Sequence, residues 1–454
     1  MLGRFDYDLV VIGSGDAGGR AALMASKAGL SVALVEANKW GGSALNFTDI
    51  PNTALFYTAH VLKEAQDGAK LGISSTNLRY NYPTVNNWKN VAMKRMRANS
   101  SEHFEERGIH CIHGNAHFLN RHTISVGERK VSAKKFLIAT GASVLDTGIS
   151  LAENANYWLP ENVCTMVRPP KSIFIVGAGS TGCEYAQFFR NLGCDVVIAD
   201  LSARLLPRED EEVGQVLDEV FNKDGIKVLT QSRVVAIEKD GANKKVVFMR
   251  GGQEKSVRVS EVLLCTGSAP NIDLGLENAG VVADKDGIRV DETMQTSMKH
   301  IFAAGDVIGG HSSPDKAHAD AKVAVSHIIG RSKLTIDYSD IIRSTNIAPE
   351  LAAVGITEDD CIKADRKFHK SIISLDTIQK AQCTNRRTGF VKIITSKGGK
   401  ILGATIMAPH AEILIQEFAM AIRFDLGVED LLAVTHPYAG WSAVNERALK
   451  ELRK

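Results

Sequence analysis

The stretch Asp8 to Glu36, DLVVIGSGDAGGRAALMASKAGLSVALVE, leaves few folds open to a chain that carries it. Leu9-Val10-Val11-Ile12 is a short apolar run, rich in β-branched side chains and stopped by glycine, which is the pattern of a buried parallel strand rather than of a helix. Gly13-x-Gly15-x-x-Gly18 follows at once. The first glycine of such a run permits the tight turn, the second lets the backbone approach a pyrophosphate, and the third lets the next helix pack close to the strand. That helix is predicted from about Ala17 to Ala28, with its N-terminal amides and dipole aimed at the phosphates. Ser31 to Val35 is predicted as the second strand, and Glu36 stands about 18 residues beyond Gly18, where a carboxylate accepts from ribose hydroxyls. Strand, turn, helix, strand and acid in this order are read as a dinucleotide-binding unit. The alternative left open is a parallel-sheet turn that binds nothing.

A chain of 454 residues is too long for one ordinary core, and about two to four domains are expected. The formal net charge is +2, so no strong field recruits nucleic acid or an anionic membrane, and Lys94, Arg95 and Arg97 are read as a solvated helix face. The first strand begins within about eight residues of Met1, which leaves no room for a signal peptide, and no later stretch reaches the roughly 18 apolar residues of a membrane span. A cytoplasmic chain with no nucleic-acid partner is expected. The seven cysteines, Cys111, Cys164, Cys183, Cys194, Cys265, Cys361 and Cys383, are scattered with no C-x-x-C among them. Neither a metal site nor a local redox pair is expected, and most are read as small buried hydrophobes.

The opening pattern returns in mid-chain. Ile173 to Val176 is a strand, Gly177-x-Gly179-x-x-Gly182 the turn, Glu184 to Leu192 the helix, and Asp195 to Ala199 the next strand, ending at Asp200. Two copies in full context are far more specific than one. Lys135 to Gly141, KFLIATG, is an apolar strand ending in Thr140-Gly141, where small residues let a strand end pass close to a bound group. Val262 to Gly267, VLLCTG, repeats that theme with Cys265 as a buried strand residue. Residues 56 to 107 read as two helices, the second running through Trp88 to Arg107 until Gly108 stops it.

After Glu36 the chain reads Trp40-Gly41-Gly42-Ser43-Ala44-Leu45-Asn46-Phe47-Thr48-Asp49-Ile50-Pro51-Asn52-Thr53. Two glycines and a helix-compatible run broken by Pro51 suggest a backbone that comes close to a ligand before a helix resumes toward Glu64. With the opening motif, this stretch resembles the pyridine nucleotide-disulfide oxidoreductases, the flavoenzyme family of dihydrolipoamide dehydrogenase, glutathione reductase and mercuric reductase. The family reads G-G-T-C-L-N-x-G-C-I-P-S-K here. Gly41, Gly42, Leu45, Asn46, Ile50 and Pro51 are kept, while Ala44 and Asp49 stand at the two redox cysteines and Thr53 at the lysine. The resemblance continues through Gly114-Asn115-Ala116, similar to the adenine-side strand, and Thr140-Gly141 of the A-T-G signature. It extends to Ala303-Ala304-Gly305-Asp306, whose aspartate binds a flavin ribitol hydroxyl in the family, and to Lys316-Ala317-His318, which resembles L-A-H with lysine for leucine. From about Tyr338, Ala348-Pro349-Glu350, Val354 to Glu358, Ile401 to Ala404 and a helix from Ala411 to Phe424 match the family's dimerisation domain.

This resemblance implies an α/β chain with two Rossmann-like dinucleotide-binding domains and a C-terminal α+β dimerisation domain, assembled as a homodimer. The expected parts are residues 1–150 (FAD domain, first part), 151–272 (NAD domain), 273–337 (FAD domain, second part) and 338–454 (interface domain). FAD is expected at Gly13, Gly15, Gly18, Glu36, Gly42, Ser43, Ala116, Thr140, Gly141, Asp306 and Ala317. The nicotinamide dinucleotide is expected at Gly177, Gly179, Gly182, Asp200 and Gly267. A carboxylate at Asp200 accepts from the adenosine 2′-hydroxyl and repels a 2′-phosphate, so NAD(H) is expected over NADP(H), which nearby Arg204 keeps open.

In the family, hydride passes from nicotinamide to one face of the flavin and electrons leave to the disulfide on the other. Glu184 matches the glutamate that pairs with the missing lysine, and is expected to take up a proton, find another partner or be hydrated. Thiol–disulfide exchange needs a thiolate, so with no sulfur at positions 44 and 49 the expected acceptors are a quinone or dye, oxygen, a second nicotinamide or an electron-carrier protein. His436-Pro437-Tyr438-Ala439-Gly440-Trp441 matches H-P-T-x-S-E, with the histidine kept and its supporting glutamate replaced by tryptophan. If Asp49 and His436 meet across the dimer interface, the pair raises the histidine pKa, lowers the aspartate pKa and can deliver a proton to an acceptor between Phe47, Tyr438 and Trp441. Otherwise the aromatic residues plug the channel and His436 is a remnant. Asp49, Glu184 and His436 are therefore the candidate catalytic residues. The function read is an FAD-dependent NAD(P)H oxidoreductase without a redox disulfide. The alternatives are a dihydrolipoamide dehydrogenase-like protein lacking normal disulfide activity and a non-catalytic flavin- and nucleotide-binding sensor or assembly subunit.

Overall fold

Strands whose two faces are both covered carry near-continuous apolar runs, and Leu9, Val10 and Val11 are accordingly fully buried in Tyr7–Ile12. The computed structural model describes residues 5–74, 77–96, 100–145, 147–152, 155–330 and 333–453; Arg97 lies outside them. Tyr7–Ile12 runs parallel between Val32–Glu36 and Arg129–Ile138. Ile109–His113 extends the sheet on one side and Ile301–Ala303 on the other, so a segment far along the chain completes the first sheet. The N-terminal half of Arg129–Ile138 pairs instead with the hairpin Ala116–Asn120 and Thr123–Val126.

A second parallel sheet has the order Lys227–Leu229, Asp195–Ala199, Ser172–Val176, Glu261–Leu264. The C-terminal region is a five-stranded antiparallel sheet, ordered Arg343–Thr345, Leu351–Gly355, Ile401–Met407, Phe390–Ser396, Phe368–Ser374. The helices Gln416–Arg423 and Ala443–Leu452 cover it through Phe418, Val444 and Leu449. This is the α/β architecture expected, two Rossmann-like units plus an α+β domain. Among the described residues no helix is long and apolar enough to cross a membrane.

Local departures from expectation have readable causes. The helix expected through Trp88 to Arg107 is two: Tyr82–Arg95, capped by Asn81 with Pro83 in its first turn, and Ser101–Glu105, capped by Ser100. Lys94 and Arg95 are exposed. Pro51 does not break a helix but sits in the first turn of Asp49–Asp67, where its missing N–H costs nothing; the break falls at Phe47 and Thr48. The helix expected from Ala411 to Phe424 is split into Ala411–Leu414 and Gln416–Arg423.

Buried polar contacts join these parts. The Tyr185 hydroxyl donates to Asn52 Oδ1 at 3.0 Å, linking the helix Ser180–Asn191 to Asp49–Asp67. Gln187 brackets the Ala348 peptide, donating to its oxygen at 2.9 Å and accepting from its nitrogen at 2.7 Å. Lys392, 1% exposed on the C-terminal sheet, meets Asp210 at 3.0 Å, Glu212 at 2.8 Å and Glu358 at 2.7 Å, and Asp210 also accepts from Thr405. Removing one member of a buried charge cluster leaves the others uncompensated, so Lys392→Met should lower the unfolding free energy by about 3 kcal/mol or more in a urea titration. A loss below about 1 kcal/mol would show that water screens this joint.

Candidate functional site: two glycine turns and a C-terminal histidine

The two glycine turns are built alike, atom for atom. Gly13 has φ +100°, and a Cβ there would lie 2.2 Å from the Ala139 carbonyl oxygen; Gly177 has φ +103°, and its Cβ would lie 2.2 Å from that of Cys265. A Cβ on Gly18 or Gly182 would meet the oxygen of Gly13 or Gly177 at 1.9 Å. The A-T-G and C-T-G strand ends thus act through backbone: their carbonyls pack where no side chain fits. Cys265, expected as a buried strand residue, instead lies just beyond the strand Glu261–Leu264 and is only partly buried, its amide donating to the Val176 oxygen.

Each turn is tied to an acid at the end of the next strand. Glu36 Oε2 accepts from the Ser14 amide at 2.9 Å and hydroxyl at 2.7 Å, and Oε1 from the Asn38 amide at 2.8 Å. Asp200 repeats this, Oδ2 accepting from the Ala178 amide at 2.6 Å and Oδ1 from the Ser202 amide at 2.7 Å. A carboxylate has about four acceptor positions, so both retain capacity for hydroxyls. The helices Asp16–Lys27 and Ser180–Asn191 start at Gly15 and Gly179 with no side-chain cap, and nothing lies within 4 Å of a Cβ at Gly179. Uncapped amides and an oriented acid are what a dinucleotide pyrophosphate and ribose require, so the residues of both turns fit a dinucleotide. Arg204 points elsewhere, donating to the oxygens of Pro207 and Glu209 and to Asp359 at 3.2 Å.

The remaining first-site residues gather at the same sheet edge. Gly41 and Gly42 both have positive φ, and a Cβ on Gly42 would lie 2.5 Å from the Cα of Gly15, so this loop, with Ser43 exposed beside it, closes over the first turn. Gly114 donates its amide to the Glu36 oxygen at 2.8 Å, while Ala116 is in the core beneath. Asn271 clasps Thr140 and Gly141: its amide donates to Gly141 O, its Nδ2 to Thr140 O, and its own oxygen accepts from the Thr140 hydroxyl. Gly267 plays the mirrored part, accepting from the Leu145 amide at 3.0 Å. A Cβ on Gly305 would lie 3.1 Å from that of Ala17 and 3.7 Å from that of Ala317, in the first turns of two helices. Burial raises the Asp306 pKa, with Lys316 opposing and Asp16 and Asp49 adding to the rise.

The candidate catalytic residues lie on different elements. Asp49 begins its helix and accepts from the Thr48 hydroxyl at 2.9 Å; burial raises its pKa, and Asp16 and Asp315 push the same way. Thr53 turns back to the Asp49 carbonyl. Glu184, deprived of a lysine, accepts from the Asn346 amide at 2.7 Å, and burial with some repulsion from Asp49 pushes its pKa up to about 7. His436 pairs within its own chain: Nε2 is 3.0 Å from Oε2 of Glu417, whose Oε1 accepts from Asn445 Nδ2 at 2.5 Å. Nδ1 of His436 is buried without a partner among the described residues. Glu417 and Asn445 carry no signal in the sequence, since the family's supporting glutamate lies within the histidine motif and this one comes from a preceding helix. Trp441 packs against the C-terminal core, Tyr438 is 78% exposed, and Phe47 lies under Lys39, so the three aromatic residues form no common wall within one chain. All seven cysteines are free thiols.

Glu184 holds its proton up to about pH 7 in the folded chain against an ordinary 4.5, so the folded state binds more protons across that interval and loses stability as pH rises through it. Glu184→Gln keeps the acceptor for Asn346 and removes the titration. The stability gap between variant and wild type should widen in the variant's favour by about 1–3 kcal/mol from pH 5 to pH 8, read by denaturant unfolding. Parallel pH profiles would place Glu184 in solvent.

The pyridine nucleotide-disulphide oxidoreductase model matches residues 7–326, and the corresponding dimerisation-domain model matches residues 341–447. The dihydrolipoyl dehydrogenase of Mycobacterium tuberculosis is 32% identical over 445 residues, covering 95% of each chain. A mercuric reductase of Staphylococcus aureus is 30% identical over 437 residues, covering 95% of this chain and 80% of that relative. The fold matches that of LpdA from Mycobacterium tuberculosis (TM-score 0.88, 24% identity, 98% and 99% of the two chains). It also matches the HOCl-induced flavoprotein disulfide reductase RclA from Escherichia coli (TM-score 0.85, 23% identity, 98% and 99%). With these models and relatives matched along nearly its whole length, the chain belongs to the pyridine nucleotide-disulphide oxidoreductases, a family of FAD-dependent NAD(P)H oxidoreductases.

Proposed function

We propose that this chain is an FAD-dependent NADH oxidoreductase, working as a homodimer, that delivers electrons directly to an acceptor other than a disulfide: a quinone or dye, oxygen, a second nicotinamide or a small electron-carrier protein. The observation that carries this reading is the coexistence of two complete cradles with Ala44 and Asp49 at the family's redox-cysteine positions. Residues 1–150 and 273–337 form the FAD domain in this proposal, 151–272 the NAD domain and 338–454 the interface domain.

FAD, when bound, supplies the chemistry of hydride acceptance and onward electron delivery. Gly13, Gly15, Gly18, Glu36, Gly42, Ser43, Ala116, Thr140, Gly141, Asp306 and Ala317 would hold it. Gly177, Gly179, Gly182, Asp200 and Gly267 hold the nicotinamide dinucleotide. NADH is favoured over NADPH because Asp200 repels a 2′-phosphate while Arg204 is committed to Asp359.

In this reading exchange does not run through Cys164, Cys183 or Cys265. Burial raises the thiol pKa of Cys164, Cys183 and Cys265, away from the thiolate that exchange requires. Dimerisation is supported by the matched C-terminal domain and by large exposed side chains on two of its helices and on Asp49–Asp67, among them Ile413, Phe424 and Tyr57. Across that interface Asp49 of one protomer and His436 of the other flank the acceptor. Glu417, 3.0 Å from Nε2 of His436, fixes the orientation of that imidazole.

Anaerobic NADH should bleach the flavin absorbance of the wild type, and a benzoquinone should restore it. His436→Ala should slow the restoration by about tenfold or more without slowing the bleaching. An unchanged restoration makes His436 a remnant, lipoamide turnover as fast as quinone turnover defeats the acceptor reading, and an absence of bleaching supports a non-catalytic binding protein.

A further inference from the structure

Lys316 occupies the leucine position of the family's L-A-H motif, and the sequence offers no reason for it. The reason lies one helical turn away. Lys316 and Asp320 on the helix Pro314–Ile328 are 5% and 0% exposed, with Nζ 2.8 Å from Oδ2 of Asp320. Ala317, Ala321 and Ala324 of the same helix belong to the apolar core. A buried ion pair is often no more stabilising than apolar residues of similar volume, so stability alone does not account for it.

What the pair does hold is the backbone of one residue, the peptides on either side of Gly305. Asp320 Oδ2 also accepts from the Gly305 amide at 3.0 Å, and Lys316 Nζ donates to the Gly305 oxygen at 3.4 Å. Gly305 has φ +81° and ψ −154°, a conformation that side chains rarely allow, and it sets the direction in which Asp306 leaves the strand. The clamp is locked from outside by Tyr338, whose hydroxyl donates to Asp320 Oδ1 at 2.8 Å and whose ring lies 5.4 Å from Lys316 Nζ. Both carboxylate oxygens of Asp320 are thereby directed at the turn or its lock.

We infer that Lys316, Asp320 and Tyr338 are positioning residues for the flavin site, clamping Gly305 so that Asp306 is preset to receive the ribitol side of FAD. This rests on the reading of the first cradle as an FAD site. It adds residues that touch no cofactor in that reading and act through Gly305.

The test measures FAD binding to apoprotein by quenching of flavin fluorescence, NADH binding at the second cradle by fluorescence enhancement, and the apoprotein melting temperature. Lys316→Leu/Asp320→Ala is charge-balanced. It should melt within a few degrees of wild type and bind NADH normally, yet raise the FAD dissociation constant about tenfold or more. Tyr338→Phe removes one hydroxyl and keeps the fold secure; it should raise the FAD constant about threefold at an unchanged melting temperature. Wild-type FAD affinity in both variants overturns the inference, and if the double variant does not fold, Tyr338→Phe decides alone. A wild-type apoprotein that takes up no FAD overturns the reading of the cradle, and this inference with it.

Discussion

Two carboxylates hold the architecture of the site together. Glu36 and Asp200 each close the end of a second strand onto the amide that follows the first glycine of a turn, leaving the helix behind that turn uncapped. If the acid released the amide, the turn would lose its fixed angle and the helix N-terminus its aim. An uncapped N-terminus carries about half a positive charge. The same bond therefore orients the backbone and presents the charge that draws a phosphate.

Much of this was legible because the steric demands are local. Gly13 and Gly177 must be glycine where a neighbouring carbonyl stands at 2.2 Å, and that constraint marks the chain at fixed spacing whatever else varies. The parallel strands are legible for a similar reason, since double-sided burial removes polar residues from Leu9 to Ile12 and from Ile173 to Val176. Pro51 misled because a proline within a helical run and a proline in its first turn look the same until the break at Thr48 is located.

What was not legible is re-pairing over distance. Three departures from the family pattern looked like losses in sequence: the lysine replaced by Thr53, the glutamate replaced by Trp441, and the leucine replaced by Lys316. In the structure Glu184 takes the amide of Asn346, His436 takes Glu417, and Lys316 takes Asp320. Only the last partner stands at a helical spacing that sequence could suggest. The other two come from segments 162 and 19 residues away, joined by nothing but the fold. Substitution at a functional position is thus a poor guide to the electrostatics there unless the replacement partner is also sought.

The position of Arg204 bears on how this chain could change its coenzyme. Its guanidinium braces the loop after Asp200 and reaches Asp359 at the start of a helix in the C-terminal domain. Recruiting that cation to a phosphorylated ribose would strip a strut from the joint between nucleotide and interface domains. If the second turn takes the unphosphorylated coenzyme, as proposed, an evolutionary drift toward the phosphorylated one would have to install a fresh cation before this strut could be spared.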